Sequence, residues 1–285
     1  MAEYHNMAPA EWDKQSSKFK KKWTKDEWAR RCLLQPKYDG VNVTIDVGNR
    51  RALSRTGEVY TSMEHIVQAV CSEFADHDKV YLEAWAPITP HPVLNGWARR
   101  YENSPRLRGV VFDAVHVEDT RSYATRLATI HIRLRGSSDV LPLTPVAYFI
   151  PSQEHTWEHV EAIAKRRKQD AHSAFDGVII ADPDAVWRPG KTKNGEVIKI
   201  KPTLSLDLEV VDIIVEPGEK TGRLVAVLVV SYRGIRCKVG SGVPHDLAGI
   251  NIGSIVEVEA LGVTEKGLLR EPRFKGLRTD KPKPD

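Results

Sequence analysis

The chain has 285 residues, 41% of them hydrophobic and 28% charged, with a formal net charge of +4. This composition suits one large or two modest folded domains and excludes a disordered chain. No apolar run approaches the roughly 20 residues that a membrane-spanning helix needs, and the N-terminus lacks an apolar signal core. The three cysteines, Cys32, Cys71 and Cys237, are scattered and odd in number. They favour a reducing cytoplasm over a disulfide framework.

Positive charge is concentrated near both ends of the sequence. Residues 14–31 carry eight Lys or Arg, and residues 266–283 carry seven. Two interpretations stay open for these runs. They are either solvated faces, which is the usual fate of charge runs, or surfaces that contact phosphates of a nucleic acid.

The predicted elements of the first two thirds of the chain interleave helices and strands. Residues 8–33 have helical spacing, and a β-hairpin follows at "VNVTIDV" and "RALSR". The later helices are predicted at "SMEHIVQAVCSEF", "SYATRLATIHIRLR" and "EHVEAIAKRRK". The later strands are predicted at "KVYLEAW", "GVVFDAVHV", "PVAYFI", "FDGVIIAD" and "EVIKIKP". Frequent hairpins indicate an α+β domain with mainly antiparallel sheets over residues 1–203.

The character of the sequence changes after "KPTLSLD". Short strands with regular turn signals follow at "LEVVDIIVEP", "GRLVAVLVVSY", "GIRCKVGSG" and "GSIVEVEALGV". They predict a small all-β barrel of the size of an OB-fold over residues 204–285.

Lys37, in "LLQPKYDGVNVTI", precedes a turn and poses a chemical question. A lysine amine is a nucleophile only when it is neutral, and neighbouring cations or burial favour that form. Lys199 and Lys201 in "VIKIKP" point to one face of their strand, because side chains repeat every two residues. The three lysines would jointly bind a phosphate if they met in one cleft. Considered singly, each also fits a solvated position at a strand edge.

Further polar residues follow in a fixed order along the chain. Arg55 stands beside a turn glycine, Glu83 lies in a strand, and Phe112 offers a ring that could stack on a base. Asp176 precedes an apolar strand, where a carboxylate can hold Mg²⁺. These residues also have ordinary structural interpretations. Phe112 can be a core residue, and Glu83 can belong to a structural ion pair. No HExxH or CxxC pattern indicates zinc.

Taken in order, these pieces resemble the ATP-dependent DNA ligases of short phage type, within the covalent nucleotidyltransferase superfamily. "KYDG" resembles the adenylation motif, "SRTG" the arginine motif and "VVFDAV" the phenylalanine-aspartate motif. "FDGVIIADPDAVWRPGKTKNGEVIKIKP" resembles the paired metal and lysine motifs, and "LREPRFKGLRTDK" the closing basic motif. The resemblance implies an antiparallel-sheet nucleotidyltransferase domain, ATP-grasp-like in class, followed by an OB-fold barrel.

The resemblance also implies a role for each residue. The catalytic residues would be Lys37, which forms the lysyl-AMP adduct, with Lys199 and Lys201 neutralising the α-phosphate. The nucleotide would be held by Gln35, Arg55, Glu83, Phe112, Arg278 and Lys281, with Asp280 beside the last two. Asp176 and Glu83 would hold the metal, and the nucleic acid would meet Arg55, Lys191, Arg273 and Lys275. The cofactors would be ATP and Mg²⁺ or Mn²⁺.

The implied activity is sealing of nicks in duplex DNA during replication, repair and recombination. The protein would be a monomer in the cytoplasm, that of the host cell if it is a phage protein, with no membrane partner. Two alternatives stay open: an RNA ligase or RNA-capping guanylyltransferase, and a non-catalytic relative that binds nicks or single strands.

The sequence departs from the family pattern at four positions. Asn42 stands where the family usually has Arg, five residues after the lysine. Asp176 replaces a Glu, Ala181 replaces a Lys, and Gln35 replaces a Glu that reads the adenine amino group. The Gln35 carbonyl can still accept that hydrogen bond. The departures leave the lysine nucleophile in place.

Overall fold

A computed structural model describes residues 6–136, 142–169, 175–217, 222–264 and 266–284. The chain divides into two compact units, Met1–Lys201 and Pro202–Asp285. Each is described by itself below. That the chain consists of domains 1–203 and 204–285 stays a prediction. Among the described helices, none has the length and apolar character to cross a membrane.

The α-helices of the described residues all lie in the first unit. They are α1 Ser17–Lys22, α2 Lys25–Arg31, α3 Glu64–Glu73, α4 His91–Ala98, α5 Tyr123–Arg133 and α6 Trp157–Gln169. The prediction of helix α3 from the spacing of its apolar residues is confirmed, since Ile66, Val67 and Val70 are buried together. Helix α4 was not predicted, because its segment contains a proline and a glycine. The proline, Pro92, lies in the first turn, where a missing N–H costs nothing.

The prediction that residues 8–33 are helical throughout is wrong. A short strand comes first, and helices α1 and α2 then begin separately. The Ser16 hydroxyl accepts from the Phe19 amide at 3.2 Å and so starts α1. Thr24 and Glu27 form a reciprocal capping box that starts α2. The two caps satisfy backbone amide groups that would bond internally in a continuous helix. The segment therefore forms two separate helices, with a break between Lys22 and Lys25.

Three sheets form the rest of the first unit. Their strands are β1 Met7–Ala8, β2 Leu33–Tyr38, β3 Val41–Asp46, β4 Arg51–Leu53, β5 Val59–Tyr60, β6 Lys79–Trp85, β7 Arg108–Val115, β8 Leu143–Pro145, β9 Phe175–Ala181, β10 Gly190–Lys191 and β11 Val197–Ile200. The larger sheets have the orders β5-β4-β3-β6-β7-β8 and β11-β9-β2, and β1 pairs with β10. The pairs are antiparallel except β1 with β10 and β7 with β8. The predicted α+β class with mainly antiparallel sheets is confirmed.

The predicted strand "PVAYFI" is largely wrong. The strand β8 ends at Pro145, and beyond it Phe149 makes only an isolated bridge to Leu34. Proline has no N–H to continue a ladder, and the Val146 amide that follows it makes a last hydrogen bond to β7, donating to the Val111 carbonyl at 2.9 Å.

Each large sheet is covered by helices on its outer face. Helices α3 and α4 pack on the six-stranded sheet, where Leu82 and Leu94 are fully buried. Helices α2 and α6 pack on the three-stranded sheet around Trp28 and Val160. A further apolar cluster joins the inner faces, with Val110 from β7 and Val197 from β11. The two sheets therefore face each other, and their inner side chains are available to line a site.

The second unit is a β-barrel. Its strands are β12 Leu204–Pro217, β13 Leu224–Tyr232, β14 Ile235–Val239, β15 Ile255–Ala260, β16 Gly262–Val263, β17 Leu269–Arg270 and β18 Arg273–Leu277. Five of them form an antiparallel sheet in the order β14-β13-β12-β15-β18. A bridge between Ser241 and Arg273 joins its two edges and closes the sheet. Leu228, Val230 and Val256 fill the interior, as the alternation along these strands predicts.

Candidate active site

A cavity of about 290 Å³ lies between the two large sheets of the first unit. Predicted site residues from distant parts of the sequence line it together: Gln35, Lys37, Arg55, Glu83, Phe112, Lys199 and Lys201. They come from β2, β6, β7, β11 and the turn after β4. The fold thus brings the ordered motifs to one place, as a shared phosphate-binding cleft requires.

Lys37 and Lys201 meet at the carboxylate of Asp176. The Lys37 Nζ lies 2.8 Å from Asp176 Oδ2, and the Lys201 Nζ lies 2.6 Å from the same atom. Only 7% of the Asp176 surface is exposed. Burial by itself would raise the pKa of Asp176, but the two ammonium groups outweigh burial and lower the pKa below its usual range. The carboxylate is therefore an anion held between two cations that line the cavity.

Gly177 brings the strands that carry these groups close together. It is opposite Lys37 in the pairing of β2 with β9, and its φ is +150°. A Cβ at this position would lie 2.2 Å from the Ile200 carbonyl oxygen. Only glycine permits this approach, which places Lys201 beside Asp176.

Lys199 lies on the same face of its strand as Lys201, as the sequence predicts. Its Nζ is 3.6 Å from Glu11 Oε1. Burial lowers the pKa of Lys199, Glu11 opposes the change, and the nearby charges of Lys201 and Lys37 add to it. The site therefore concentrates positive charge in a partly buried cleft that suits a polyphosphate.

Glu83 and Asn42 are partners across two strands of the six-stranded sheet. They are opposite each other in the pairing of β3 with β6, and the Asn42 side chain hydrogen-bonds the Glu83 carboxyl. Burial raises the pKa of Glu83 to about 7, although Lys37, Asn42 and Arg55 act in the other direction. Asn42 is therefore an uncharged hydrogen-bond partner for Glu83.

Phe112, Gln35 and Tyr123 form a connected group on the inner wall. Gln35 Nε2 lies 2.9 Å from the Tyr123 hydroxyl, which donates to the Phe112 carbonyl at 3.0 Å. The Phe112 side chain lines the cavity and also packs on the apolar cluster between the sheets. The core and base-stacking interpretations of Phe112 are therefore compatible.

Asp113 has a structural partner. Its carboxylate accepts from Arg126 Nε at 2.7 Å and from Arg126 Nη2 at 3.1 Å. Both residues are buried, and Arg126 has no exposed surface. This pair holds α5 against β7 and so fixes the wall that carries Phe112.

The remaining predicted residues lie outside the cavity lining. Lys191 is exposed on β10. In the second unit, Arg278 pairs with Asp207 at 3.0 Å and with Asp280 at 2.9 Å, and Lys281 also pairs with Asp207. Lys275 lies 3.1 Å from Glu259, and Arg273 is exposed on β18. The four cations of the second unit lie on β18 and on the segment that follows it.

Sequence reasoning missed several contributors to the cavity, among them the N-terminal segment and Tyr123. Residues 6–9 line it from the N-terminal strand, and Tyr123 lines it from α5. The parallel pairing of β1 with β10 joins residues far apart in the chain and leaves no local pattern. One feature of the sequence could have indicated Tyr123. It is a tyrosine on the buried face of a predicted helix, and a buried tyrosine hydroxyl usually has a hydrogen-bond partner.

Comparisons with known proteins agree with this architecture. Residues 217–278 match the family model of the DNA ligase OB-like domain. Over the whole chain, a structure from an analysis of Lig E DNA ligases superposes with a TM-score of 0.71 at 16% identity, covering 95% of this chain and 99% of that one. The bacteriophage T7 ATP-dependent DNA ligase, solved with ATP, gives 0.53 at 13% identity, covering 97% and 99%.

The chain has the fold of the DNA ligases. A further ligase structure, Pmar-Lig_PreS3, superposes with a TM-score of 0.72 at 19% identity and covers 96% of this chain and 68% of that one. No curated protein matches the sequence significantly. The resemblance predicted from the motifs is confirmed at the level of the fold. The residues that match the OB-like domain lie in the second unit, in agreement with the OB-fold barrel predicted from the sequence.

Proposed function

We propose that the protein is an ATP-dependent DNA ligase that seals nicks carrying a 5′-phosphate and a 3′-hydroxyl. One observation carries the proposal: Lys37, Lys199 and Lys201 converge on a single cavity beside the buried Asp176. A nucleophilic lysine flanked by two further cations is an arrangement suited to attack on a nucleotide phosphate. The match of residues 217–278 to a DNA ligase domain favours DNA ligation over RNA ligation or capping.

The first step forms a phosphoramidate on Lys37. The neutral Nζ attacks the α-phosphorus of ATP, a nitrogen–phosphorus bond forms, and the bond to the pyrophosphate oxygen breaks. The attacking nitrogen gives one proton to the solvent and pyrophosphate leaves. The ion pair of Lys37 with Asp176 is then lost, because the phosphoramidate nitrogen carries no charge. Lys199 and Lys201 stabilise the charge that develops on the phosphate oxygens.

Two further transfers complete the reaction. The AMP passes to the 5′-phosphate of the nick and frees Lys37. The 3′-hydroxyl then displaces AMP and forms the phosphodiester bond. Phe112 packs on the base, and Arg55 and Glu83 contact the ribose or the nick phosphate. Arg278 and Lys281 of the barrel orient the pyrophosphate, and Lys191, Arg273 and Lys275 contact the DNA backbone.

The carboxylates of Asp176 and Glu83 could hold a metal ion only if the substrate supplied most of the other ligands. The described residues contain no group of three His, Cys, Asp or Glu side chains that could hold one. Mg²⁺ commonly binds through one or two carboxylates together with substrate phosphates. Asp176, with Glu83 as the second candidate, would hold such an ion. When bound, it would neutralise phosphate charge and orient the leaving group.

The test is nucleotide labelling followed by nick sealing. Wild-type protein incubated with α-labelled ATP should form an acid-labile protein adduct, and labelled GTP should not. On a nicked duplex with DNA on both sides, the purified monomer should join the strands with ATP and Mg²⁺. Nicks with RNA on either side test the alternative substrate class.

Variants at Lys37 test the assigned nucleophile. Lys37→Ala should abolish labelling and sealing while DNA binding persists. Lys37→Arg keeps the positive charge beside Asp176 and should also be inactive, which separates loss of the amine from loss of the ion pair. Lys238→Ala removes a lysine of the barrel paired with Glu216 and should behave as wild type. Sealing by Lys37→Ala at the wild-type rate would refute the proposal.

A further inference from the structure

Residues 6–10, called here the N-terminal strap, run along the cavity as an added strand. The strap pairs in parallel with β10 at Met7 and Ala8. The Ala10 amide donates to the Val197 carbonyl at 3.3 Å, and the Lys199 amide donates to the Ala10 carbonyl at 3.1 Å. The strap is thus fixed by backbone hydrogen bonds to the strand that carries Lys199.

The strap forms part of the cavity wall. Asn6, Met7, Ala8 and Pro9 all line the cavity. Asn6 is only 7% exposed, and its backbone carbonyl accepts from the Gly190 amide at 3.0 Å. Its carboxamide atoms are not among the fully buried, unpartnered polar atoms of the described residues, and Asn6 lines the cavity. A carboxamide that is mostly enclosed but opens on a cavity is placed to hydrogen-bond a ligand there.

The surroundings of the strap identify which part of a nucleotide would meet Asn6. Met7 packs in the apolar cluster with Val110, Tyr123, Val146 and Val197. Three residues further along, the Ala10 carbonyl accepts a hydrogen bond from the Lys199 amide. The strap therefore runs from an apolar end of the cavity towards its lysines. A nucleotide with its phosphates at the lysines would place its base beside Met7 and Asn6.

We propose that the N-terminal strap is a wall of the nucleotide site and that the Asn6 carboxamide hydrogen-bonds the edge of the adenine base. The inference rests on the proposed function for the orientation of the nucleotide. A carboxamide offers one acceptor and two donors, which complement the amino group and ring nitrogens of adenine. Asn6 is thereby a specificity-determining residue that lies outside the ordered motifs.

The experiment measures nucleotide binding by calorimetry without DNA. The probes are ATP and purine riboside triphosphate, which lacks the exocyclic amino group. Asn6→Leu keeps the volume and removes the hydrogen-bonding atoms, and it should bind ATP about fivefold more weakly, since one buried hydrogen bond contributes about 1 kcal/mol. Binding of the purine analogue should change much less, so that the preference for ATP shrinks. Asn194→Ala, an exposed asparagine on the neighbouring loop, is the matched control and should bind ATP as wild type.

The outcomes separate this inference from the proposed function. Wild-type affinity of Asn6→Leu for ATP would overturn the inference and leave ligation untouched. Equal weakening for both nucleotides would overturn the assignment of Asn6 to the base edge. If Asn6→Leu weakens ATP binding as expected but the wild-type protein neither forms a nucleotide adduct nor seals nicks, the ligase proposal fails and the inference stands. Thermal unfolding of the free variant, expected at or above the wild-type temperature, shows that the fold is retained.

Discussion

Replacing Glu83 by Gln should make the protein more stable at alkaline pH. Glu83 lies inside the cavity, and burial raises its pKa from 4.5 to about 7. The folded state therefore holds the proton more tightly than the unfolded chain does. The contribution of Glu83 to stability is complete below pH 4.5 and is lost as the pH rises through about 7.

The size of the effect follows from these two pKa values. At about 1.4 kcal/mol per pH unit, the interval from 4.5 to about 7 corresponds to up to about 3 kcal/mol. Glutamine stays neutral and can keep a hydrogen bond to Asn42. At pH 8 the Glu83→Gln variant should therefore unfold with a free energy up to about 3 kcal/mol above wild type, whereas near pH 4.5 the two should agree.

The assay is urea unfolding at pH 4.5, 6 and 8 with a chelator present, so that no metal ion occupies the site. Asp76→Asn is a control of opposite sign. Although burial opposes it, hydrogen bonds from Arg133 and His77 lower the pKa of Asp76 to about 2. Its removal should cost stability at neutral pH. Equal stabilities of Glu83→Gln and wild type at pH 8, or a deficit of the variant at every pH, would refute the reasoning.

Three further predictions concern buried groups of the first unit. Asp113→Asn should lower the free energy of unfolding by about 3 kcal/mol in urea titrations, because it leaves the buried Arg126 charge without its anion. The double variant Asp113→Asn with Arg126→Met should recover part of this loss. A double variant without any recovery would contradict the charge argument. Gly177→Ala should cost about 2 kcal/mol or more by the same measurement, since the added methyl meets the Ile200 carbonyl at 2.2 Å; an unchanged unfolding midpoint would mean that the strands can separate freely. Burial raises the pKa of the Cys32 thiol, so in the native state it should resist a maleimide that labels it in denaturant, as mass spectrometry of the modified peptide can show; rapid native labelling would contradict its burial.

Local patterns predicted much of the fold. The alternation in "VIKIKP" placed Lys199 and Lys201 on one face, and the structure has both in the cavity. Strand period and turn residues depend on neighbours in the chain, so they can be read from the sequence. The break between α1 and α2 was also readable, because Thr24 and Glu27 have the spacing of a capping box.

Pairings between distant segments could not be predicted in this way. The strap joins β10 across more than half of the chain, and Gln35 meets Tyr123 only when the two sheets face each other. The motifs named seven residues that line the cavity together with others that lie outside it, and they did not predict that Asp176 would lie between Lys37 and Lys201. Such contacts depend on tertiary packing and leave no periodic signal in the sequence.

The departure at Asn42 has a physical explanation in its cross-strand partner. An arginine opposite Glu83 would add a cation beside a buried carboxyl and favour its ionised form. Asn42 supplies a hydrogen bond without a charge, and burial then keeps the pKa of Glu83 near 7. Burial is thus the cause of the raised pKa of Glu83, and the Asn42 hydrogen bond opposes it without adding a charge. A neutral Glu83 can donate a hydrogen bond to a ribose hydroxyl or phosphate, which an ionised carboxylate cannot do.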